Sequence, residues 1–324
     1  KIRPSSGCPP DFDTFWKSKI GELHAIPMNP VVQPGESNDP GVDYFKVQLD
    51  NIGGTHVYGQ LARPKGKGKF PAMLIFQGAG VYKLERKNVV TRAREGWLVL
   101  NMMAHDLPID LADEDYQKIE ATTLKDYMLF GNDDRDKSYF LRMFLGCCRA
   151  ADYLESRPDW DGRVIIAYGG SQGGFQSLAT AALHPGITAV LVDVPAGSDS
   201  AGAKVGHAFS WPWLGPGRDK DAGKVAETSL YFDDVNFASR IKSPVLLGVG
   251  LVDQTCPPAP VLALFNSLQG SKEAVIMPDA GHSGKNNAHA EYVTRSEAWL
   301  TSLKANGSAP VNENKATPNL SPNK

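Results

Sequence analysis

No apolar run in this sequence approaches the roughly 18–20 residues that a membrane-spanning helix needs. No charge of one sign dominates either: 34 Lys and Arg stand against 36 Asp and Glu, a net charge of −2. That balance gives no electrostatic basis for a nucleic-acid partner or an anionic membrane. Cysteine is scarce. Of the four, Cys147 and Cys148 are adjacent in a predicted helix, and Cys8 and Cys256 are isolated. None stands in a CxxC or Cys/His spacing that would hold zinc, so no metal and no cofactor is expected. All four read as small packing residues. The start, Lys1-Ile2-Arg3-Pro4, has no apolar stretch behind it and does not read as a signal peptide. It lacks an initiator Met and reads as a processed or cloned start, which leaves the compartment open between secreted, periplasmic and cytoplasmic. Internal repeats are absent.

What remains is the composition of a globular protein with a large core, 42% apolar and 22% charged over 324 residues. Asp11 to Ile26 has the spacing of an amphipathic helix, with Phe12, Phe15, Trp16, Ile20 and Leu23 recurring on one face. Pro27, Pro30 and Pro34 end it, and the chain to Gly41 reads as an extended arm. Residues 1–41 are therefore set apart from a main domain over 42–303. Tyr44–Leu49 and His56–Ala62, with Asn51-Ile52-Gly53-Gly54 between them, predict a hairpin at a sheet edge.

Six short, continuous apolar runs follow: Pro71–Phe76, Trp97–Leu100, Val164–Ala167, Ala189–Val192, Val245–Val249 and Ala274–Met277. Runs of this kind suit strands covered on both faces of a parallel sheet. Helical segments lie between them, at Asn88–Arg94, Ser138–Ser156, Gln172–Leu183, Pro260–Leu268 and Ala288–Leu303. The alternation predicts a layered α/β fold with a mostly parallel central sheet flanked by helices. Residues 107–137 and 197–230 read as insertions, and 304–324, rich in Asn, Pro, Ser and Lys, as a disordered tail or linker.

The sharpest local signal is Gly169-Gly170-Ser171-Gln172-Gly173. It matches G-x-S-x-G, with an apolar strand before it and a helix after it, the setting of a nucleophile elbow in an α/β-hydrolase. A glycine turn with a capping serine is the bland alternative; a P-loop is not, because the Lys-Ser/Thr ending is missing. A hydroxyl needs an adjacent base to attack near neutral pH, and a third group must orient that base. In this fold they follow in the order acid, then His. Asp253 stands just past the run Val245–Val249, and His282 just past Ala274–Met277, with room for one helix between them. Asp193 and Asp279 are alternative acids. Among the other histidines, His289 reads as helix surface. The oxyanion of acyl transfer needs backbone N–H donors already in place. Gln172, next after the serine, is one; the loop Gln77-Gly78-Ala79-Gly80 offers the other, with Ala79 preferred and Gly78 and Gly80 open.

Longer segments carry a resemblance. Gly169–Gly174, Asp193-Val194-Pro195, the run Tyr231–Lys242 and Val249–Pro258 together resemble the acetyl xylan esterase/cephalosporin C deacetylase family, as do Asp11–Trp16 and Asn29-Pro30. The resemblance runs from about residue 10 to 300. It implies an α/β-hydrolase fold, metal-free removal of acetyl groups from small acetylated sugars, and often a homo-oligomeric ring. It carries the triad to Ser171, Asp253 and His282, and the oxyanion donors to Gln172 and Ala79. Three framing motifs depart from it: His-Gly-Tyr is here Gln77-Gly78-Ala79, Arg-Gly-Gln is Ala104-His105-Asp106, and His-Glu is His282-Ser283. Tyr82 beyond the loop, and His207, Trp211 and Trp213 in the second insertion, are candidate substrate contacts; the two tryptophans read equally as core. A broad short-chain carboxylesterase, a lactone hydrolase or peptidase, and a glycan-binding module without catalysis are the rival functions.

Overall fold

The computed structural model describes residues 2–212 and 221–310. Its strands are β1 (Val31–Gly35), β2 (Val42–Asp50), β3 (His56–Pro64), β4 (Phe70–Phe76), β5 (Leu98–Met102), β6 (Trp160–Gly170), β7 (Ala189–Asp193), β8 (Val245–Gly250) and β9 (Lys272–Met277). They form one nine-stranded sheet in the order β1-β2-β3-β5-β4-β6-β7-β8-β9. From β5 to β9 all neighbours are parallel, while β1, β2 and β3 join antiparallel. The helices are α1 (Phe12–His24), α2 (Arg86–Arg94), α3 (Asp113–Ala121), α4 (Tyr139–Ser156), α5 (Gln172–Leu183), α6 (Ala222–Ser229), α7 (Asp234–Ala238), α8 (Pro258–Ser267) and α9 (Ala290–Asn306).

The continuous apolar strands have a direct cause. On β4, Ala72, Leu74 and Phe76 face a core shared with α1, α4, α5, α7 and α8, whereas Met73 faces a second core under α2 and α9. On β6, Ile165 and Ala167 take the first side, Val164 and Ile166 the other. Successive residues point to opposite faces, so a strand covered on both must be apolar throughout.

Two sequence expectations change. The proline-rich arm does not run free: Val31–Gly35 pairs with Gly35 opposite Tyr44 and becomes the edge strand. Pro34 is tolerated there because an edge strand leaves one row of N–H groups unpaired. The predicted hairpin, β2 and β3, therefore sits one strand in from the edge. Helix α9 also runs past the expected boundary at 304, to Asn306, and stops at Gly307, whose φ of 72° closes it. Residues 311–324 lie outside the described residues.

Helix α1 is part of the main core. Trp16 is 2% exposed and packs edge-on against Phe15 and Phe232, with Phe144 and Phe237 beside it. Its indole N–H donates to the Tyr231 carbonyl at 3.0 Å.

The end of β7 is tied to the start of α9. His289 Nδ1 stands 2.6 Å from Asp193 Oδ2, and its Nε2 donates to the Gly281 carbonyl at 2.9 Å. His289 is thus no helix-surface residue: it holds the loop that carries His282. Burial opposes a charge on its ring, but the Asp193 hydrogen bond, the Gly281 carbonyl and the Asp193 charge outweigh it and raise its pKa. Burial also raises the Asp193 carboxyl, against the pull of His289.

Two measurements follow from this packing. Trp16→Ala should lower unfolding stability by about 3–5 kcal/mol; a urea-derived loss under about 1 kcal/mol would mean that α1 docks independently of the core. For His289, the folded pKa lies above the unfolded one. Its stabilisation is therefore complete below the ordinary value of 6.5 and disappears as pH rises through the folded value. His289→Ala should cost more stability at acidic than at alkaline pH. Equal losses at both ends would refute the charged pairing.

Candidate active site

The parallel strands end on one edge of the sheet, and the loops that leave them converge there. Ser171 follows β6, Asp253 follows β8, His282 follows β9 and the Gln77–Gly80 loop follows β4. Ligand sites of open α/β sheets lie at this carboxyl edge.

The turn at Ser171 is strained. Its φ is 53° and ψ −124°, a conformation that L residues adopt only when their surroundings impose it. Two glycines make it feasible. A Cβ on Gly169 would stand 2.4 Å from the Gly173 carbonyl carbon, and one on Gly173 2.5 Å from the Phe76 oxygen. Both distances are shorter than atoms can approach, so the turn presses against β4 only because those side chains are missing. The Ser171 N–H donates to the Asp193 carbonyl at 3.0 Å, and its carbonyl accepts from the Ala196 N–H at 3.1 Å.

The three residues expected to form a relay meet. His282 Nε2 is 2.8 Å from Ser171 Oγ, and His282 Nδ1 is 2.8 Å from Asp253 Oδ2. A carboxylate only accepts, so Nδ1 carries the proton and Nε2 is left to accept from the serine hydroxyl. Asp253 is buried, and its other oxygen accepts from the Thr255 and Cys256 N–H groups at 2.8 and 2.9 Å. Those bonds fix the carboxylate plane and satisfy its charge away from water. Neither alternative acid takes this place: Asp193 is engaged by His289, and Asp279, two residues past the end of β9, makes no hydrogen bond to a ring nitrogen of His282 among the described residues.

Cys256 is a packing residue at the site itself. It is buried beside the relay, and its ligand atom lies within 4.8 Å of those of Asp253 and His282. Burial raises its thiol pKa far above the ordinary value, with the Asp253 charge adding to the rise and hydrogen bonds from Ser210 and Ser171 opposing it. It therefore stays a neutral thiol beside the serine rather than a competing nucleophile.

Gln172 is fully buried as the first residue of α5, where backbone N–H groups have no partner within the helix. Its side-chain amide donates to the Gly78 carbonyl at 3.2 Å, and Gln176 donates to the Gln77 carbonyl at 2.8 Å. The Gln77 side chain accepts from the Ala104 N–H at 2.9 Å and donates to the Tyr82 carbonyl at 2.8 Å. The loop's carbonyls are thus turned into the protein. Among the described residues the Ala79 N–H makes no hydrogen bond. The Tyr82 hydroxyl lies by Gly78, and Tyr82 itself is 43% exposed at the loop.

In the second insertion, Trp211 and His207 are engaged by other protein groups. Trp211 is buried and packs edge-on against Phe140, so it belongs to the core side of the insertion. His207 is committed to Asp199, 2.9 Å from its Nδ1, and Ser5 donates to the same carboxylate at 2.7 Å. Trp213 lies outside the described residues. Tyr127, which donates to the Gln172 side-chain oxygen, was not singled out in the sequence. It sits in an acidic insertion with no motif around it, and only the register of Leu124 and Tyr127 hinted at a buried face.

The family model for acetyl xylan esterases matches residues 1–300. The chain is similar to the acetyl esterase Axe7A of Xylanibacter ruminicola, 34% identical over 287 residues that cover 87% of this chain and 65% of that protein. It thus spans just under two thirds of that relative's length. Among solved structures, acetyl xylan esterase 1 from Thermoanaerobacterium sp. JW/SL YS485 superposes with a TM-score of 0.77 at 25% identity, over 90% of this chain and 95% of that one. The acetyl xylan esterase from Paenibacillus sp. R4 gives 0.78 at 26%, over 91% and 96%. The sheet order, the strand-end loops and these matches make the fold that of an α/β-hydrolase, and the chain belongs to the acetyl xylan esterase family.

Proposed function

We propose that this protein is a serine esterase that removes acetyl groups from xylo-oligosaccharides or related small acetylated sugars. The observation that carries the reading is one imidazole bonded at 2.8 Å to a strained serine hydroxyl on one side and at 2.8 Å to a buried carboxylate on the other. Family membership supports the choice of acetyl esters.

In this mechanism His282 Nε2 takes the Ser171 proton as Oγ bonds to the acetyl carbon. The carbonyl electrons move to oxygen, and the Gln172 and Ala79 N–H groups hold that oxyanion. Asp253 keeps the proton on Nδ1 and stabilises the imidazolium. The carbon–oxygen bond to the sugar breaks, and His282 returns the proton to the leaving sugar oxygen. Water, deprotonated by the same nitrogen, then attacks the acetyl-serine; the carbon–Oγ bond breaks, His282 returns the proton to Ser171 Oγ, and acetate leaves. Tyr82, half-exposed beside the oxyanion loop, is the substrate contact of this reading.

Ser171→Ala should lower kcat by on the order of 10⁶ and abolish labelling by a fluorophosphonate probe. Asp253→Asn should lower kcat by about 10⁴ because the imidazole then takes the wrong tautomer. Labelling that persists in Ser171→Ala would end the serine mechanism. For the substrate, acetate release from acetylated xylan, acetylated xylo-oligosaccharides and cephalosporin C is to be measured side by side with hydrolysis of a butyrate ester. Faster turnover of butyrate than of every acetylated sugar would assign the chain to broad short-chain esterases instead.

A further inference from the structure

One cluster near the site is not used by this mechanism. His105 lies in the loop after β5, the strand beside β4, and is fully buried. Its Nε2 stands 3.0 Å from the Gly80 carbonyl, and its Nδ1 2.7 Å from the Tyr139 hydroxyl. A carbonyl only accepts, so Nε2 carries the proton and the neutral ring accepts from Tyr139 at Nδ1. Burial, far more than the nearby Arg142, drives the ring's pKa down to about 4, against the raising effect of the Gly80 carbonyl. The donor is therefore uncharged at neutral pH and adds no positive field to the site.

Tyr127 grips the same glycine from the other side. Its hydroxyl donates to the Gln172 side-chain oxygen and accepts from the Gly80 N–H at 3.4 Å. Its ring stands edge-on to His105, with centroids 4.7 Å apart, and 5.1 Å from Tyr139. Gly80 has a φ of 106°, a conformation with little intrinsic preference to hold it in place. Its amide and its carbonyl are nonetheless both claimed by buried side chains.

We propose that His105 and Tyr127 are positioning residues for the oxyanion hole: they clamp Gly80 at both backbone groups, and Tyr127 locks that loop to Gln172. The two N–H donors of the proposed mechanism come from chain segments far apart in sequence. One phenolic oxygen bridges those segments, alongside the Gln172 and Gln176 amides that hold the Gly78 and Gln77 carbonyls. An oxyanion site works by holding its dipoles in place before charge develops, so slack between the two donors is lost transition-state stabilisation rather than lost substrate binding. Tyr139 acts one step further out, by fixing the His105 tautomer.

This inference rests on the esterase reading, and the experiment separates the two. Tyr127→Phe removes one oxygen and keeps the ring. It should lower kcat on p-nitrophenyl acetate by about 10- to 100-fold, below the roughly 10²–10³ expected for losing a donor outright. KM should change less than about threefold. Affinity for phenylboronic acid, whose tetrahedral adduct on Ser171 places an oxygen in the hole, should weaken by the same factor as kcat/KM. His105→Ala should lose at least as much, and His105→Gln, whose amide can still donate to Gly80, should recover part of it. If His105→Ala does not fold, Tyr127→Phe and Tyr139→Phe decide. Wild-type kcat and boronic acid affinity in Tyr127→Phe, or a lower melting temperature with unchanged kinetics, would reduce the cluster to packing. Hydrolysis surviving in Ser171→Ala would instead overturn the esterase reading itself.

Discussion

The site depends on how closely the turn after β6 presses against the end of β4. With no side chain at Gly173, that turn can touch the Phe76 carbonyl, and with none at Gly169 it can fold back on itself. This contact determines three things together. It sets the serine Oγ at the strand end within reach of His282, starts α5 at Gln172 directly after it, and brings the loop after β4 within reach of the Gln172 and Gln176 amides. A methyl group at either glycine would separate the parts. The unfavourable φ of Ser171 is the local consequence of that approach, held in place by bonds from its own peptide to Asp193 and Ala196.

Three histidines sit around this turn, and their surroundings give them different work. His282 is pinned at one nitrogen by a buried carboxylate, which leaves the other free to accept from a hydroxyl. His289 has a carboxylate at Nδ1 and a carbonyl at Nε2, which favours the doubly protonated ring. His105 has a carbonyl and a phenol and is cut off from water, which favours the neutral one. The same imidazole is thus the base of the proposed mechanism, half of an ion pair and an uncharged donor. The acid choice follows the same logic. Asp193 ends the strand next to the serine turn, but His289 occupies it, and Asp253 is the carboxylate left facing His282.

The legible parts of this structure were those whose physics is local. Apolar runs such as Val164–Ala167 announce strands buried on two faces. The boundaries of α5 were readable from the glycine-rich turn before it and His184-Pro185 after it. Ser171, Asp253 and His282 were readable because a strand end, a residue type and a chain order coincide at each. What resisted reading depends on contacts across long sequence distances. Nothing near Val31 says that it will pair with Gln48. Nothing near His289 says that Asp193 will face it across 96 positions. Trp211 and Tyr127 look alike in sequence, aromatic residues in polar insertions, yet one packs against Phe140 and the other bonds to the residue after the serine.

Two of the three altered framing motifs are physically linked. Where the resembled family carries His-Gly-Tyr in the loop after the early strand, this chain has Gln77-Gly78-Ala79, with a small residue at the third position. Other side chains brace the loop. Tyr82 brings a hydroxyl to Gly78 from within the loop, Tyr127 brings one to Gly80 from the first insertion, and His105 takes the Gly80 carbonyl from the neighbouring strand's loop. The second altered motif, Ala104-His105-Asp106, is therefore not independent of the first. Its Ala104 N–H holds Gln77, the first altered residue of the loop, while its His105 holds the last residue of that loop. An arginine at position 105 would put a permanent cation where the structure has a buried, neutral ring. Without a carboxylate partner, burying that charge would cost several kcal/mol. The two altered motifs thus meet at one loop, and the support that His105 gives it carries no charge.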